Sequence, residues 1–227
     1  MALKVSRSKL ELFTKCQRCF WLDVKNGVKQ PPGFPFTLNN AVDYLLKAEF
    51  DKHRDAKTRH PVMEKFKIDA IPFAHENMNK WRHNFTGVQV DHKKSGFLVY
   101  GAVDDLWVNP DGEISVVDYK ATGANEHKIH DSYRRQMEIY QWLLRQNGLE
   151  VSDIGYFVFA KANKAEGFGM GEAALEFDLI IEAMRGDDSW VEATIMNARK
   201  TYDSAVIPEA SPDCDYCSYR AAARKFE

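Results

Sequence analysis

The chain has 227 residues, of which 44% are hydrophobic and 28% charged, and its formal net charge is −2. This composition indicates one globular domain with a substantial core, and it excludes a protein that coats polyanions over its whole surface. Any contact with nucleic acid must therefore come from a local basic patch. No apolar run approaches a membrane span, and the first residues lack the apolar core of a signal peptide, so we expect a cytoplasmic protein without membrane contact.

The first ninety residues predict mainly helices. A helix carries Cys16 and Cys19 on one face, and the prolines and glycines of residues 27–35 make a loop. A second helix is expected over residues 38–54, with the following side chains buried: Ala41, Val42, Leu45, Leu46 and Phe50. Residues 51–67 are rich in Lys, Arg and His, and we favour a solvated loop there over a nucleic-acid contact. A short helix over residues 75–84 and a strand over residues 87–92 follow.

The stretch over residues 97–120 predicts a β-hairpin. Two apolar, β-branched and aromatic runs flank Asn109-Pro-Asp-Gly112, which suits a type I turn closed by a left-handed glycine. That turn sets a register in which Leu106 faces Val116 and Asp104 faces Asp118. These residues share one face, which is apolar near the turn and polar far from it.

The polar end of this face indicates a cation site. Directly opposed Cβ atoms lie roughly 4.5–5.5 Å apart, and like charges at that distance destabilise a sheet. Asp104 and Asp118 therefore require a shared proton or a cation, and oxygen ligands suit Mg²⁺ or Mn²⁺. Lys120, on the same face, can orient an attacking water or stabilise a negatively charged transition state. The alternative is an exposed hairpin end in which aspartate and lysine side chains pair across the strands.

The second half of the chain alternates helices and strands. The helix over residues 132–146 is expected to bury Met137, Ile139, Tyr140, Leu143 and Leu144. A nearly all-apolar strand over residues 154–160 is predicted to be central in the sheet, and residues 174–181 form another strand. The glycine run at residues 167–171 lacks the context of a phosphate-binding loop. A helix over residues 187–205 precedes the C-terminal segment.

All four cysteines occur in two CxxC pairs, Cys16 with Cys19 and Cys214 with Cys217. In an intracellular protein this arrangement predicts one tetrathiolate site rather than disulfides. Zinc and a 4Fe–4S cluster both take four thiolates, and the CxxC spacing alone favours zinc. A redox thiol pair is disfavoured because no thioredoxin-like βαβ context is present. In either metal form the site joins the two ends of the chain and has a structural role.

Taken in order, these motifs resemble the PD-(D/E)XK nuclease superfamily from about residue 5 to about residue 219. Gly101-Ala-Val-Asp104, followed by Asp118-Tyr-Lys120, matches its metal-binding hairpin. Gln136-Met-Glu-Ile-Tyr140 resembles the Q-x-x-x-Y motif of the RecB-like branch, which includes nucleases of CRISPR adaptation and of AddB-type helicase–nucleases. The branch's G-x-x-x-H motif corresponds to Asn39 through Asp43, so an aspartate replaces the metal-binding histidine.

The resemblance implies an α/β, restriction-endonuclease-like core, with a mixed β-sheet flanked by helices, in one domain over residues 1–227. It implies catalytic roles for Asp104, Asp118, Lys120, Gln136 and Tyr140. It also implies Mg²⁺ or Mn²⁺ on Asp43, Asp104, Asp118 and the backbone carbonyl of Tyr119. The branch's 4Fe–4S cluster uses one N-terminal and three C-terminal cysteines. Here the third C-terminal cysteine would fall near Ala223, and Cys19 replaces it.

The resulting functional prediction is a metal-dependent deoxyribonuclease, either an exonuclease or one directed at single strands or free DNA ends, in DNA repair, recombination or CRISPR adaptation. A helicase or a CRISPR-adaptation protein is the partner that the resemblance suggests. His127, Lys128, Arg134 and Arg135 are expected to form a rim that contacts one DNA strand. The alternatives are a catalytically silent DNA-binding or scaffold module of the same fold, and a four-cysteine structural protein without a nucleic-acid role. The cysteine site would join residues 1–30 to residues 206–227.

Overall fold

The structure is a computed structural model that describes residues 3–33, 37–124, 126, 128–164 and 173–227. The glycine run at residues 167–171 and the side chain of His127 lie outside the described residues. The helices are α1 (Arg7–Lys15), α2 (Gln17–Asn26), α3 (Thr37–Ala56), α4 (Pro61–Lys65), α5 (Met78–Arg82), α6 (Asp131–Gln146), α7 (Val191–Asp203) and α8 (Asp215–Ala223). The strands are β1 (Leu3–Ser6), β2 (Ile71–Pro72), β3 (Val88–His92), β4 (Phe97–Gly101), β5 (Asp105–Val108), β6 (Ile114–Thr122), β7 (Ile154–Ala162) and β8 (Phe177–Arg185).

The strands form two mixed sheets. The larger has the order β2-β5-β6-β7-β8, in which β6 and β7 are parallel and the other neighbours antiparallel. The smaller has the order β1-β4-β3, with β1 parallel and β3 antiparallel to β4. Helix α6 connects β6 to β7 and packs against both sheets, while α3 packs against β2 and β6 of the larger sheet. The predicted α/β architecture, a mixed sheet flanked by helices, is therefore confirmed.

The turn between β5 and β6 has the predicted geometry. Gly112 has a φ of +87°, its backbone N–H donates to the carbonyl of Asn109 at 3.0 Å, and Leu106 pairs with Val116. The hairpin is nevertheless shorter than predicted, because β4 and β5 belong to different sheets and β5 begins only at Asp105. Asp104 therefore lies just outside the strand ladder that it was expected to extend.

Side-chain periodicity predicts the buried face of α6 better than that of α3. All five side chains expected to be buried on α6 are buried. On α3, Val42, Leu46 and Phe50 are buried as expected, but Leu45 is 63% exposed and Ala41 is also exposed. The reason is that α3 buries only a narrow stripe against the larger sheet. None of the described helices is both long enough and apolar enough to cross a membrane.

The segment over residues 51–67 is not the solvated loop that its composition suggests. It contains the end of α3 and the short helix α4, and both Arg54 and His60 are buried within it. His60 stacks on Phe50 with ring centroids 4.4 Å apart, and its Nδ1 accepts a hydrogen bond from the Val62 backbone N–H at 3.0 Å. The buried guanidinium of Arg54 pairs with Asp51 in the same segment and with the distant Asp105, and a count of local charges does not reveal the second of these partners.

Candidate active site and cysteine cluster

An open cleft of about 750 Å³ lies between α3 and the ends of the hairpin strands. Four of its lining residues are cationic, namely Arg7, Lys47, Arg82 and Lys120, and two carry carboxylates, namely Asp43 and Asp104. Amide side chains add neutral hydrogen-bonding groups, supplied by Asn39, Asn40 and Asn84. Cationic and amide side chains of this kind suit contact with the phosphate backbone of a nucleic acid.

Asp43 and Asp104 are brought together by a lysine. The ammonium of Lys47 donates to Asp43 Oδ2 at 2.7 Å and to Asp104 Oδ1 at 3.0 Å. The other oxygen of Asp104 accepts the backbone N–H of Tyr119 at 3.0 Å, which fixes this carboxylate beside β6 although it lies outside the ladder. Burial and the charge of Asp104 raise the pKa of Asp43 above its ordinary value.

Asp118 lies at the bottom of the site and is fully buried. Its Oδ1 accepts a hydrogen bond from Gln136 Nε2 at 2.6 Å, and the same amide lies 3.3 Å from Tyr140 Oη. The two residues of the Q-x-x-x-Y motif are one helical turn apart, so both reach the same place. The other oxygen of Asp118 forms an ion pair with Lys120. Burial raises the pKa of Asp118 to about 7, an effect that Lys120 opposes and Asp104 increases.

Lys120 is held as a cation. Burial lowers its pKa, but the charges of Asp118 and Asp104 more than compensate, so the pKa lies above its ordinary value. Its ammonium also lies 4.7 Å from the centroid of the Tyr133 ring, a cation–π distance. The raised pKa favours an electrostatic role for this ammonium at neutral pH.

A buried ion cluster lies behind the cleft, centred on Asp105. This carboxylate is fully buried, pairs with Arg54, accepts from Arg82 Nη2 at 3.0 Å, and accepts from Tyr119 Oη at 2.6 Å. Arg82 Nε also donates to the backbone carbonyl of Asp104 at 2.9 Å. The cluster thus holds the backbone at Asp104 and the ring of Tyr119. The sequence indicates this cluster through the adjacent aspartates Asp104 and Asp105. Side chains alternate along a strand, so one of the two must point away from the cleft and requires partners of its own.

Sequence reasoning missed three cations of the cleft, Arg7, Lys47 and Arg82. Lys47 could have been found, because it lies one helical turn after Asp43. Arg7 begins α1 and acts to lower the pKa of Tyr140, which burial nevertheless keeps above its ordinary value. Arg7 and Arg82 come from elements far from the hairpin in sequence, and no local pattern marks them.

The predicted DNA-contacting rim is only partly available. Arg135 donates two hydrogen bonds to the carboxylate of Glu11, at 2.8 and 2.9 Å, and so joins α6 to α1. Lys128 pairs with Glu126 at 3.2 Å, although both side chains remain largely exposed. Arg134 is exposed. The guanidinium of Arg135 is therefore engaged within the fold, and contact of this rim with DNA stays a prediction.

The carboxylates of the cleft suit a hard cation by donor type. The ammonium of Lys47 already lies between Asp43 and Asp104, so the site accepts positive charge there. Metal binding by Asp43, Asp104 and Asp118 stays a prediction. Within the described part of the chain, the only group of three or more His, Cys, Asp or Glu side chains with closely converging ligand atoms is formed by the cysteines. The Tyr119 carbonyl as a metal ligand stays a prediction.

The four cysteines converge as predicted. Their ligand atoms all lie within 4.8 Å of one another, and each side chain is buried, with exposures between 2% and 9%. One detail differs from the prediction, since Cys16 is not inside a helix but at the break between α1 and α2, where it caps α2. Such a group of thiols can bind a metal.

The thiols differ in how readily they ionise. Burial raises the pKa of the Cys217 thiol to about 11, and it also raises the pKa of Cys19. Burial opposes ionisation of Cys16 too, but backbone hydrogen bonds from Ser211 and Cys19 lower its pKa to about 7. Because thiolates are the metal-binding form, metal binding here releases protons.

Comparison with known proteins identifies the family. A family model described as the PD-(D/E)XK nuclease superfamily matches residues 36–222, and the chain therefore belongs to that superfamily. Its two mixed sheets flanked by helices agree with the restriction-endonuclease-like fold. Membership supports a nuclease with DNA as its substrate, and divalent metals are the usual cofactors of the superfamily.

More distant likeness exists among solved structures. One, described as "Crystal structure of SSO0001", is 12% identical to this chain with a TM-score of 0.46, and the match covers 97% of this chain and 86% of that one. No curated protein matches this chain.

Proposed function

We propose that this protein is a metal-dependent DNA nuclease that hydrolyses phosphodiester bonds, with Asp104, Asp118 and Lys120 at the reacting centre. One observation carries the proposal. The amide of Gln136 contacts both the buried carboxylate of Asp118 and the hydroxyl of Tyr140, and Lys120 pairs with the same carboxylate at the base of a cationic cleft. Residues from β6 and α6 that are distant in sequence thus form one constellation.

The metal-binding side of the proposal assigns Mg²⁺ or Mn²⁺ to Asp104, Asp118 and the carbonyl of Tyr119, with Asp43 as a further ligand from α3. Such an ion, when bound, lowers the pKa of its water and neutralises charge on the phosphate. Lys47 pairs with both Asp43 and Asp104, and its single positive charge offsets part of the repulsion between these two carboxylates. The buried cluster around Asp105 holds the backbone of Asp104 in place through Arg82.

The remaining residues act on the substrate. We assign Lys120 to position the attacking water and to stabilise the negative charge that develops on the phosphate oxygens. Gln136 fixes the orientation of Asp118, and Tyr140 in turn contacts the Gln136 amide. Arg7 lines the same cleft, and we assign it to supply positive charge for the phosphates that flank the scissile bond.

The substrate we propose is single-stranded DNA or DNA with free ends, cleaved by a cytoplasmic enzyme of the RecB-like type in repair, recombination or CRISPR adaptation, with a helicase or CRISPR-adaptation protein as partner. Cations and amides that follow a backbone do not read bases, which suits cleavage without sequence preference. We further propose that residues 1–227 form one domain, in which a 4Fe–4S cluster or a zinc ion at the cysteines joins residues 1–30 to residues 206–227.

The second candidate is a catalytically silent DNA-binding or scaffold module. It is favoured by Asp43, which replaces the histidine of related nucleases, and by the ammonium that Lys47 already places between Asp43 and Asp104. The two candidates differ in one measurement, since both bind DNA but only the first cleaves it.

The test is cleavage of end-labelled single-stranded and double-stranded DNA with Mg²⁺, with Mn²⁺ and with excess EDTA. We expect Asp104→Asn and Lys120→Ala each to reduce the rate about 10²-fold or more, with circular dichroism unchanged. Lys128→Ala is the matched lysine control, because Lys128 is 70% exposed, and its rate should equal that of the wild type. Cleavage that persists in EDTA, or in both active-site variants, contradicts the mechanism. A gel shift without any cleavage supports the silent module.

A further inference from the structure

The cysteine cluster has the dimensions of a site for one ion. Cys19 Sγ lies 3.6 Å from the Sγ atoms of both Cys214 and Cys217, and Cys16 Sγ lies 3.8 Å from that of Cys217. A tetrahedral zinc ion with Zn–S bonds of about 2.3 Å separates its sulfur ligands by ~3.8 Å. These three of the six sulfur separations match that tetrahedron, and all six are within 4.8 Å.

The same cluster is too small for a 4Fe–4S group. In such a group each thiolate binds a different iron at a corner of the cube and points outward, so the thiolate sulfurs are separated by roughly 6 Å. Here all four sulfur atoms lie within 4.8 Å of one another. The residues present therefore do not fit the iron–sulfur cluster that resemblance to RecB-like nucleases implies.

The surrounding structure opposes widening of the site. Helix α2 is tied to the segment that precedes α8, because Arg18 Nε donates to the Pro208 carbonyl at 2.8 Å and Trp21 Nε1 donates to the Ser204 carbonyl at 3.1 Å. Moving α2 away from this segment by ~2 Å, toward the sulfur spacing of a cluster, would break both hydrogen bonds.

Each cysteine pair is built in the same way. Cys16 caps α2 and Cys214 caps α8, while Cys19 and Cys217 each occupy the third helical position. Two helices therefore begin at the sulfur atoms. The positive ends of their dipoles face the cluster, where a divalent ion with four thiolates carries a net negative charge. The division into two CxxC pairs is also the spacing typical of structural zinc sites.

We propose that Cys16, Cys19, Cys214 and Cys217 bind a single Zn²⁺ ion in tetrahedral geometry, and that this ion joins α2 to α8. The inference is independent of the proposed nuclease function, since it uses only the cysteine cluster. Metal content also decides it without any measurement of DNA cleavage.

The experiment is metal and sulfide analysis of the full chain, expressed with both iron and zinc in the medium and purified without oxygen. We expect about one zinc per chain, no acid-labile sulfide and a colourless protein. Exchange of the ion for Co²⁺ should give the intense visible absorption of a tetrahedral cobalt thiolate. A brown protein with about four irons and four sulfides per chain overturns the proposal, as does metal-free protein with four freely titrating thiols.

Two variants, together with removal and re-addition of zinc, test the four cysteine ligands directly. Cys217→Ser should lose the zinc and the cobalt spectrum, whereas Ser218→Ala, at an exposed neighbouring position, should keep both. If Cys217→Ser does not fold, the wild type is treated with a zinc chelator and its urea midpoint is measured. That midpoint should fall and should return on addition of zinc, but not on addition of iron with sulfide. Recovery with iron and sulfide alone overturns the proposal.

Discussion

Removal of the Asp105 carboxylate is expected to destabilise the fold strongly. This fully buried group contacts Arg54 and Arg82, whose side chains are only 8% and 11% exposed, and the hydroxyl of Tyr119. Loss of one partner from a buried ion pair costs about 3–5 kcal/mol, because the remaining charge is left uncompensated. Asp105→Asn keeps the shape of the side chain and removes its charge. The variant therefore isolates the electrostatic contribution of Asp105 to the free energy of unfolding.

Asp51 provides the matched control. It accepts hydrogen bonds from Arg54 Nε at 3.0 Å and from Arg82 Nη1 at 2.8 Å, so it shares both arginines with Asp105. Its side chain is 41% exposed, however, and exposed ion pairs contribute about 0–1 kcal/mol. Because Asp51 remains beside both arginines when Asp105 is changed, we expect Asp105→Asn to cost about 3 kcal/mol, the lower end of the range.

Urea denaturation at neutral pH measures both effects. The midpoint should fall far more for Asp105→Asn than for Asp51→Asn, with the slope of the free energy of unfolding unchanged in both variants. If the two variants lose the same free energy of unfolding to within about 0.5 kcal/mol, the argument is refuted. Burial of Asp105 would then not be what makes its ion pairs with the two arginines strong. A changed slope would instead indicate that the unfolding is no longer two-state.

Two further changes test the packing around α6. Gly101→Ala places a Cβ 2.6 Å from Cε1 of the buried Tyr140 ring and should cost about 1–3 kcal/mol. Gly123→Ala adds its Cβ in open space and should change the free energy of unfolding by less than about 0.5 kcal/mol. Equal urea midpoints for Gly101→Ala and Gly123→Ala would contradict the expected difference between the two variants. Burial raises the pKa of Glu11, but the two hydrogen bonds from Arg135 hold that pKa below its ordinary value. Ionised Glu11 thus stabilises the fold above its unfolded pKa of about 4.3 and loses this effect as pH falls through the folded pKa. The difference in stability between wild type and Glu11→Gln should therefore shrink from neutral to acid pH. A constant difference would show that the Arg135–Glu11 pair does not stabilise the fold.

The parts of the site that were predicted correctly depend on strong local signals. The turn at Asn109 through Gly112 sets the register of β5 against β6, and alternation along β6 then brings Asp118 and Lys120 to one face. The helical period of α6 places Gln136 and Tyr140 one turn apart. Sequence neighbours determine each of these relations, so the sequence is sufficient to predict them.

The parts that were missed depend on partners distant in sequence. The apolar run over residues 97–108 gives no local sign that β4 and β5 join different sheets, apart from Gly101, whose position leaves room for the Tyr140 ring. Arg54 was predicted to lie in solvent because composition cannot show that Asp105 compensates its charge in the core. Lys47 was missed because its role is defined by Asp104, which reaches it from another element.

The two sites of the molecule are connected by α1. Arg7 begins this helix and lines the cleft, Glu11 in its middle binds Arg135 next to the Q-x-x-x-Y motif, and the helix ends at Cys16 in the cysteine cluster. At about 1.5 Å per residue, the nine residues of α1 span ~13 Å. An ion at the cysteines would therefore restrain one end of a short, stiff element whose other end supplies a cation to the cleft. In the proposed arrangement the cluster would take no part in hydrolysis, and it would help to hold the cleft in the geometry that the proposed chemistry requires.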